Sequence, residues 1–170
     1  SSDVCSSDLT INDRFSKIGS EPVLERRNII EDTKNTVDYL QSRVSQQVVF
    51  SFKAPENPIY VNINPALHSW TIENLVKNAI DAMKGKGSLN IVISELEDIV
   101  KISITDTGKG IPKNQFTKVF EPGFTTKKRG WGLGLSLTKR IVQEYHKGKI
   151  KVAHSEIGKG TTMQISYKTT

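Results

Sequence analysis

Cysteine and long hydrophobic runs are nearly missing from this chain of 170 residues. A lone cysteine, Cys5, excludes a disulfide framework and a cysteine-ligated zinc site. No apolar run approaches the ~18 residues of a membrane-spanning helix, so we expect this chain to make no membrane contact. The polar first residues do not have the pattern of a signal peptide. These absences favour a cytoplasmic setting and a core built without metal or disulfide links.

The residues that are abundant indicate one globular domain with an excess of positive charge. Hydrophobic residues make up 36% of the chain and charged residues 25%, which excludes disordered, collagen-like and membrane classes. The length suits a single domain with a short appended segment. The formal net charge of +6 indicates an anionic ligand or partner. Nucleic acid is not expected, because no strip of aromatic residues accompanies the basic residues.

The chain divides into three predicted parts. Residues 1–9, SSDVCSSDL, have neither a helical nor a strand period and resemble a translated sequencing adapter. We interpret them as a non-native tail, with a natural Ser/Asp-rich tail as the alternative, and leave them out of the fold. Residues 10–46 are predicted to hold the end of one helix and a second helix over 23–46. Residues 47–170 are predicted to form the main domain.

The hydrophobic period changes to two after residue 46, which predicts strands. The predicted elements are a hairpin of strands 48–54 and 59–63, a helix over 65–83, a hairpin of strands 89–96 and 99–106, a helix over 132–146, and a hairpin of strands 148–155 and 161–167. The first of these helices has Asn64 as its N-cap, followed by Pro65. The predicted class is α+β, a two-layer sandwich with about three helices on one face of a mixed, mostly antiparallel sheet, preceded by helical linker segments.

The helix over 65–83 has an apolar face and an opposite face rich in asparagine. Asn74, Asn78 and Asp81 fall together on the second face. Asparagine is a poor helix former, and exposed helical faces are better filled by Glu and Lys. Amide oxygens are suitable ligands for Mg²⁺, which fills its octahedron with phosphate oxygens and water. A face that merely meets water is the alternative interpretation.

The segment DTGKGIP follows an apolar strand directly. The strand brings Asp106 to the edge of the core, where an unpaired carboxylate is costly, so the side chain requires a donor. A ligand amine is one candidate for that donor. Gly108 and Gly110 allow positive φ and a close approach of the backbone to a flat ligand. An ordinary turn would explain the glycines but not the carboxylate.

A glycine-rich and basic stretch, GFTTKKRGWGLG, opens the helix over 132–146. A helix N-terminus of this kind offers free N–H groups and a positive dipole end to phosphates. The stretch is not a Walker A loop, because G-x-x-x-x-G-K-[ST] is absent. It is not a dinucleotide fingerprint, because no strand precedes it. The alternative is a solvated run of charges before an ordinary helix.

In this order, these segments resemble the ATP-binding catalytic domain of sensor histidine kinases, in the GHKL ATPase superfamily. The similar segments are ENLVKNAIDAM (the asparagine box), DTGKGIP (the first glycine box), VFEPGFTTK (the phenylalanine box), GWGLGLSLTKRI (the second glycine box) and GKGTTM (the closing strand). The resemblance covers residues 48–167 and implies a Bergerat-type fold. It implies ATP and Mg²⁺ as cofactors.

The resemblance also implies roles for individual residues. Asn78 would coordinate Mg²⁺ with Asn74 beside it, and Asp106 would accept a hydrogen bond from the adenine amine. Asn74, Asn78 and Lys127 are the implied catalytic residues. The implied nucleotide-binding residues are Asn74, Asn78, Asp81, Asp106, Gly108, Gly110, Ile111, Phe120, Thr125, Thr126, Lys127, Gly130, Gly132, Leu133, Gly134, Thr161 and Thr162, with Thr161 or Thr162 supporting the contact of Asp106.

The type of reaction depends on one position. GHKL hydrolases generally carry a glutamate four residues before the magnesium asparagine, where this chain has Asn74, and Glu73 lies about 100° around the helix from it. The resemblance therefore implies a kinase that phosphorylates a histidine and then the receiver domain of a response regulator. It also implies a homodimer through an upstream helical hairpin that carries the acceptor histidine. A GHKL-type ATPase and a non-catalytic binding module are the alternatives.

The three histidines of this chain all lie downstream of the two N-terminal helices. We expect His68, His146 and His154 to be ordinary surface or capping residues. The phosphoacceptor histidine is therefore expected to be absent from this chain. The segment 10–46 would be the C-terminal remnant of the dimerisation hairpin with its linker helix.

Overall fold

The computed structural model describes residues 22–124 and 134–170. The strands within these ranges are β1 (Glu25–Asn28), β2 (Val48–Lys53), β3 (Tyr60–Ile63), β4 (Gly87–Leu96), β5 (Ile99–Asp106), β6 (Lys149–Glu156) and β7 (Gly160–Lys168). The helices are α1 (Ile29–Gln41), α2 (Pro65–Ala82) and α3 (Gly134–Arg140), which continues as a π-helical turn over Ile141–Tyr145. Two 3₁₀ turns occupy Lys113–Gln115 and Lys118–Phe120. No helix in these two ranges is both long and apolar enough to cross a membrane.

Several sequence predictions lie outside the described residues. They are the tail 1–9, the helix end before residue 22, and the site residues Thr125, Thr126, Lys127, Gly130, Gly132 and Leu133.

The main sheet has five strands in the order β2-β4-β5-β7-β6. The β2–β4 pair is parallel and the other pairs are antiparallel. Along β5, Val100, Ile102 and Ile104 are buried and alternate with exposed or half-buried polar residues. Such alternation marks a sheet with one covered face, because successive side chains point to opposite sides. The α+β class and the mostly antiparallel sheet are confirmed.

The predicted hairpin of strands 48–54 and 59–63 is wrong. β2 pairs in parallel with β4, from Val48 opposite Gly87 to Lys53 opposite Val92. β3 instead pairs antiparallel with β1, in a separate two-stranded sheet. The prediction relied on period and turn residues, which identify a strand but do not select its partner. The pairing partner of each strand is instead determined by the burial that the two strands gain together in the folded chain.

The predicted helix over 23–46 is wrong at both ends, because the helix spans Ile29–Gln41. Residues 25–28 form β1, and α1 begins after Asn28, whose side-chain oxygen accepts a hydrogen bond from the Ile30 N–H across 3.2 Å. The sequence carried a signal for this boundary, since Asn28 precedes Glu31 with the spacing of an N-cap and its third helical residue. β1 forms because its backbone pairs antiparallel with β3. No local sequence signal indicates this pairing.

Helix α1 packs into the same core as the sheet. Ile29, Val37 and Leu40 are buried and belong to the cluster that includes the inward side chains of β4 and β5. The domain boundary after residue 46 stays a prediction, and this shared core favours placing β1 and α1 with the sheet domain.

The remaining elements follow the predictions closely. In α2, Asn64 Oδ1 accepts the Leu67 N–H at 3.1 Å, Pro65 is the first helical residue, and the helix ends at Ala82 before Gly85. The two later hairpins form from β4 with β5 and from β6 with β7. The helix predicted over 132–146 is described from Gly134, and its last turn is π-helical rather than α-helical.

Candidate functional site

The asparagine-bearing side of α2 lies next to α3. The opposite side of α2 is buried in the core, through Ile72, Leu75, Val76, Ala79 and Met83. Asn74 and Asn78 are half-buried, and Asp81, one turn further, is exposed. Asn74 Nδ2 donates to Thr138 Oγ1 of α3 across 2.9 Å. Asn74 therefore lies at the seam between two helices, not on a face that meets only water.

Asp106 ends β5 as a buried carboxylate, only 6% exposed. Its Oδ1 accepts the backbone N–H of Gly108 at 2.8 Å and that of Thr161 at 3.3 Å. No described residue donates a hydrogen bond to Oδ2. Burial raises the pKa of Asp106 above its ordinary value, and the two backbone hydrogen bonds partly oppose that rise. Half of this carboxylate is thus available to a ligand donor.

The glycines after Asp106 are required by the protein's own backbone. A Cβ on Gly108 would lie 2.5 Å from the carbonyl oxygen of Ala82, at the end of α2. Gly110 has φ of +80°, and a Cβ there would clash with the carbonyl oxygen of Glu156. Sequence reasoning expected close approach to a flat ligand, and the structure shows that the close approach is to α2 and β6. These contacts hold the loop after Asp106 in place.

A further glycine, which sequence reasoning missed, packs directly behind Asp106. Gly160 begins β7 with φ of +133°, and a Cβ there would overlap the carbonyl oxygen of Asp106. Its position in the turn Gly158-Lys159-Gly160 gave no indication of that contact, because the two residues are far apart in the chain.

The two predicted threonines of β7 are separated by the sheet. Thr161 is buried, gives its N–H to Asp106, and its hydroxyl lies 2.7 Å from the Ser155 hydroxyl. Thr162 pairs its hydroxyl with Thr105 at 2.8 Å. Because neighbouring residues of a strand point to opposite faces, Thr162 lies on the other side of the sheet from Asp106. Thr161 is therefore the threonine that supports Asp106.

Two apolar site residues connect the loop to the core. Ile111 packs against the core, and its N–H donates to Ser155 Oγ at 2.7 Å. Phe120 is 7% exposed, with Lys139 Nζ of α3 lying 5.9 Å from its ring centroid. These contacts anchor the chain before the first 3₁₀ turn and at the last residue of the second.

Two of the three histidines are buried, contrary to expectation. His68 is fully buried, with Nε2 2.8 Å from Thr33 Oγ1 and no partner for Nδ1 among the described residues. Burial, with a smaller effect of His146, lowers its pKa to about 3. His146 is 6% exposed, and burial lowers its pKa to about 4. Only His154 is exposed, as expected.

Comparison with known proteins gives both relatives and a family. The family of histidine kinase-, DNA gyrase B- and HSP90-like ATPases matches residues 66–170. The sensor histidine kinase ZraS of Escherichia coli strain K12 is 38% identical over 125 residues, which are 74% of this chain and 26% of ZraS. Sporulation kinase A of Bacillus subtilis strain 168 is 39% identical over 113 residues, 66% of this chain and 18% of that kinase. The chain thus spans about a quarter or less of the length of these relatives.

Solved histidine kinase structures share the fold. The catalytic domain of histidine kinase ThkA aligns with a TM-score of 0.76 and 26% identity, over 85% of this chain and 95% of that one. ThkA in complex with the response regulator protein TrrA aligns with a TM-score of 0.79 and 25% identity, over 99% of this chain and 49% of that one. By its sequence, its relatives and its fold, the chain belongs to the family of histidine kinase-, DNA gyrase B- and HSP90-like ATPases, as a histidine kinase ATP-binding domain.

Proposed function

We propose that this chain is the catalytic, ATP-binding part of a two-component sensor histidine kinase. In this proposal the γ-phosphoryl group of Mg-ATP passes to a histidine on a dimerisation domain and then to an aspartate of a response regulator. The observation that carries the proposal is the half-satisfied carboxylate of Asp106, buried at the end of β5. A mostly buried acceptor of this kind favours a ligand with an exocyclic amine, because ligands without a donor leave it poorly paired.

The residues around Asp106 are held rigidly enough to discriminate between ligands by shape. Gly108 and Gly110 pack against Ala82 and Glu156, so the loop has no room to shift toward either element. Thr161 holds the carboxylate from the other side through its N–H. A preorganised acceptor loses little entropy when the ligand binds. Adenine meets this requirement, because its exocyclic amine is a hydrogen-bond donor.

The asparagines of α2 suit a magnesium site. The described residues include no cluster of three His, Cys, Asp or Glu side chains that could hold a metal ion. A cation there would depend on amide oxygens, phosphate oxygens and water, a donor set that suits Mg²⁺. Asn78 would hold it, with Asn74 one turn away, and Asp81 would act through water. When bound, the ion neutralises the charge that develops on the transferred phosphoryl group.

Phosphoryl transfer, rather than hydrolysis, is supported by the lack of a general base for water at position 74 of α2. The position one turn before Asn78 is Asn74, whose amide cannot take a proton from water. The neighbouring Glu73 is about one-third exposed, pairs with Lys77 at 2.8 Å, and lines a cavity that also borders Thr36 of α1. A carboxylate held in that ion pair is turned away from the asparagine face. Slow hydrolysis would preserve ATP for another acceptor.

The acceptor histidine in this proposal belongs to another part of the kinase. His68 and His146 are buried and engaged with Thr33 and Asn64, so neither is open to a phosphoryl group. His154 is exposed but lies on strand β6, not on a helix like the acceptor of the proposed hairpin. A structural neighbour, ThkA, was solved with a response regulator. By analogy we propose a receiver domain as partner, a homodimer through a helical hairpin, and a cytoplasmic reaction. The basic stretch with Lys127 and Gly132 is proposed to contact the phosphates.

A calorimetric titration of Mg-ATP into the chain tests the proposal. Asp106→Asn keeps Oδ1 and its two backbone bonds but replaces Oδ2 with a donor, which would face the adenine amine. We expect affinity to fall at least about tenfold, the usual result when a buried acceptor is lost. Asp38→Asn, the same change at an exposed site of α1, is the control and should bind like the parent chain.

Released phosphate is then measured with the same samples. Saturable binding that Asp106→Asn removes, with little phosphate released, supports the kinase. Sustained phosphate release would instead identify a hydrolase of the same superfamily. No binding by the parent chain would indicate a non-catalytic module and would overturn the proposal.

A further inference from the structure

Asn74 is held between two residues that lie one turn apart on α3. Its Nδ2 donates to Thr138 Oγ1 at 2.9 Å. Its amide also packs against the α-carbon of Gly134, since a Cβ there would lie 2.9 Å from Asn74 Oδ1 and 3.2 Å from Nδ2. The hydrogen bond joins positions 64 residues apart in the chain.

The hydrogen bonding of Thr138 determines which atom of the Asn74 side-chain amide faces the Thr138 hydroxyl. Thr138 Oγ1 donates to the carbonyl oxygen of Gly134 at 2.7 Å. A hydroxyl has one proton, and a carbonyl can only accept. With its proton committed to Gly134, the Thr138 hydroxyl can only accept from Asn74. The atom of Asn74 that faces it must therefore be the amide nitrogen, and the assignment of the two amide ends is forced.

This polarity leaves one end of Asn74 for a ligand. Oδ1 of Asn74 accepts no hydrogen bond from the described residues. We propose that Thr138 is a positioning residue for nucleotide binding, which orients the Asn74 amide so that its oxygen, not its nitrogen, is presented to the ligand. An oxygen in that place attracts a cation or a hydrogen-bond donor and repels a phosphate oxygen. The inference rests on the proposed function for the identity of the ligand.

The buried position of Thr138 supports a role beyond packing. Thr138 is fully buried, and a buried hydroxyl is costly unless it is hydrogen-bonded. A threonine that bonds the carbonyl four residues earlier satisfies itself within its own helix, and Thr71 does so with Leu67 at 2.9 Å. Thr138 makes the same bond and, in addition, accepts from Asn74. Thr71 is thus a matched control that lacks only the link to an asparagine.

Three variants separate positioning from packing. Thr138→Val keeps the shape and removes the hydroxyl, Thr138→Ser keeps the hydroxyl, and Thr71→Val removes an equivalent buried hydroxyl elsewhere. The nucleotide-free chain is examined first, through the side-chain amide signals of Asn74 in ¹H–¹⁵N spectra. We expect Thr138→Val to shift these signals and speed their exchange with water, while Thr138→Ser and Thr71→Val leave them in place. Unchanged Asn74 signals in Thr138→Val would overturn the inference.

Binding of ATP is measured next, with Mg²⁺ and with a chelator in its place. We expect Thr138→Val to weaken Mg-ATP binding about fivefold to tenfold and metal-free ATP binding less than twofold. Thr138→Ser and Thr71→Val should remain within twofold in both conditions. Equal losses with and without Mg²⁺, or an equal loss in Thr71→Val, would assign Thr138 to packing and reject the proposal. If the parent chain binds no ATP, the proposed function fails, and the Asn74 signals alone decide the role of Thr138.

Discussion

The backbone N–H of Asn64 donates to Nε2 of His146 across 3.1 Å. Asn64 caps the start of α2, and His146 follows the π-helical turn that continues α3. Because Nε2 accepts this bond, the ring proton lies on Nδ1, which faces the Tyr167 hydroxyl at 3.4 Å. The two helices that carry the candidate site are therefore tied at two places, here and at Asn74 with Thr138. The hydrogen bond from Asn64 to His146 requires a neutral imidazole.

Stability should fall in mild acid because of the buried histidines. The pKa values of His68 and His146 are lowered to about 3 and about 4, from 6.5. Below pH 6.5 the unfolded chain binds protons that the folded chain refuses, so stability is complete above that pH and is lost as the pH falls. The loss should reach about 2 kcal/mol per histidine between pH 8 and pH 5. Urea unfolding at a series of pH values measures it.

The same series with two histidine variants locates the effect. His146→Gln should reduce the dependence of stability on pH by roughly half, because one of the two titrating groups is removed. His154→Gln, at an exposed position, should leave it unchanged. An unaltered pH dependence in His146→Gln would contradict this assignment.

Nucleotide affinity should also weaken in acid, through Asp106. Its pKa is raised by burial, so its carboxyl takes up a proton at a higher pH than an exposed aspartate does. The protonated form offers an O–H where the adenine amine requires an acceptor, so affinity should decline as the pH approaches that raised pKa. Calorimetric titrations of Mg-ATP from pH 7 down to pH 5 measure the decline. An equally steep decline in Asp106→Asn would show that another group is responsible.

Two glycines with the same backbone angle should differ in their tolerance of alanine. Gly110 and Gly158 both have φ of +80°, but a Cβ on Gly110 meets the backbone of Glu156, whereas one on Gly158 meets nothing within 4 Å. Gly158→Ala should cost about 1 kcal/mol for the backbone angle alone. Gly110→Ala should cost about 3 kcal/mol or more, since backbone must move. Urea unfolding compares the stability of the two variants. Equal losses would show that the loop around Gly110 can shift away from Glu156 at little cost.

Truncation tests where the domain begins. A chain that starts at residue 47 lacks β1 and α1, so β3 loses its pairing partner and the core loses Ile29, Val37 and Leu40. We expect it to lack cooperative unfolding, whereas a chain that starts at residue 22 should unfold like the parent. Thermal melts by circular dichroism distinguish the two. A cooperative transition in the shorter chain would support the predicted boundary after residue 46.

Local sequence signals were sufficient to predict the elements whose hydrogen bonds are completed within the element or with its neighbour in the chain. Helix α2 was predicted from Asn64, Pro65 and an apolar period of 3.6, and the hairpin of β4 and β5 from a period of two. Each signal expresses a requirement met within the element or with its immediate neighbour in the chain. The order of motifs likewise indicated the family and selected Asp106 as a buried carboxylate.

Local signals failed where the partner is distant. Nothing near β2 indicates that it pairs with β4, and nothing near Arg26 or Arg27 indicates that a strand opposite β3 precedes α1. His68 has no local feature that distinguishes a buried histidine from a surface one. In each case the deciding contribution is burial against residues far along the chain, which a local period does not encode.

By itself, the sequence determined which side chains are available and the elements that carry two of the site's features, an amide-rich helix face and a carboxylate at a strand end. Only the tertiary structure decided how they meet. It turned the nitrogen of Asn74 toward Thr138, placed Thr161 rather than Thr162 beside Asp106, and closed Gly160 over the Asp106 carbonyl. Hydrogen-bond polarity and close packing depend on atoms brought together from remote parts of the chain, so they exist only once the chain has folded.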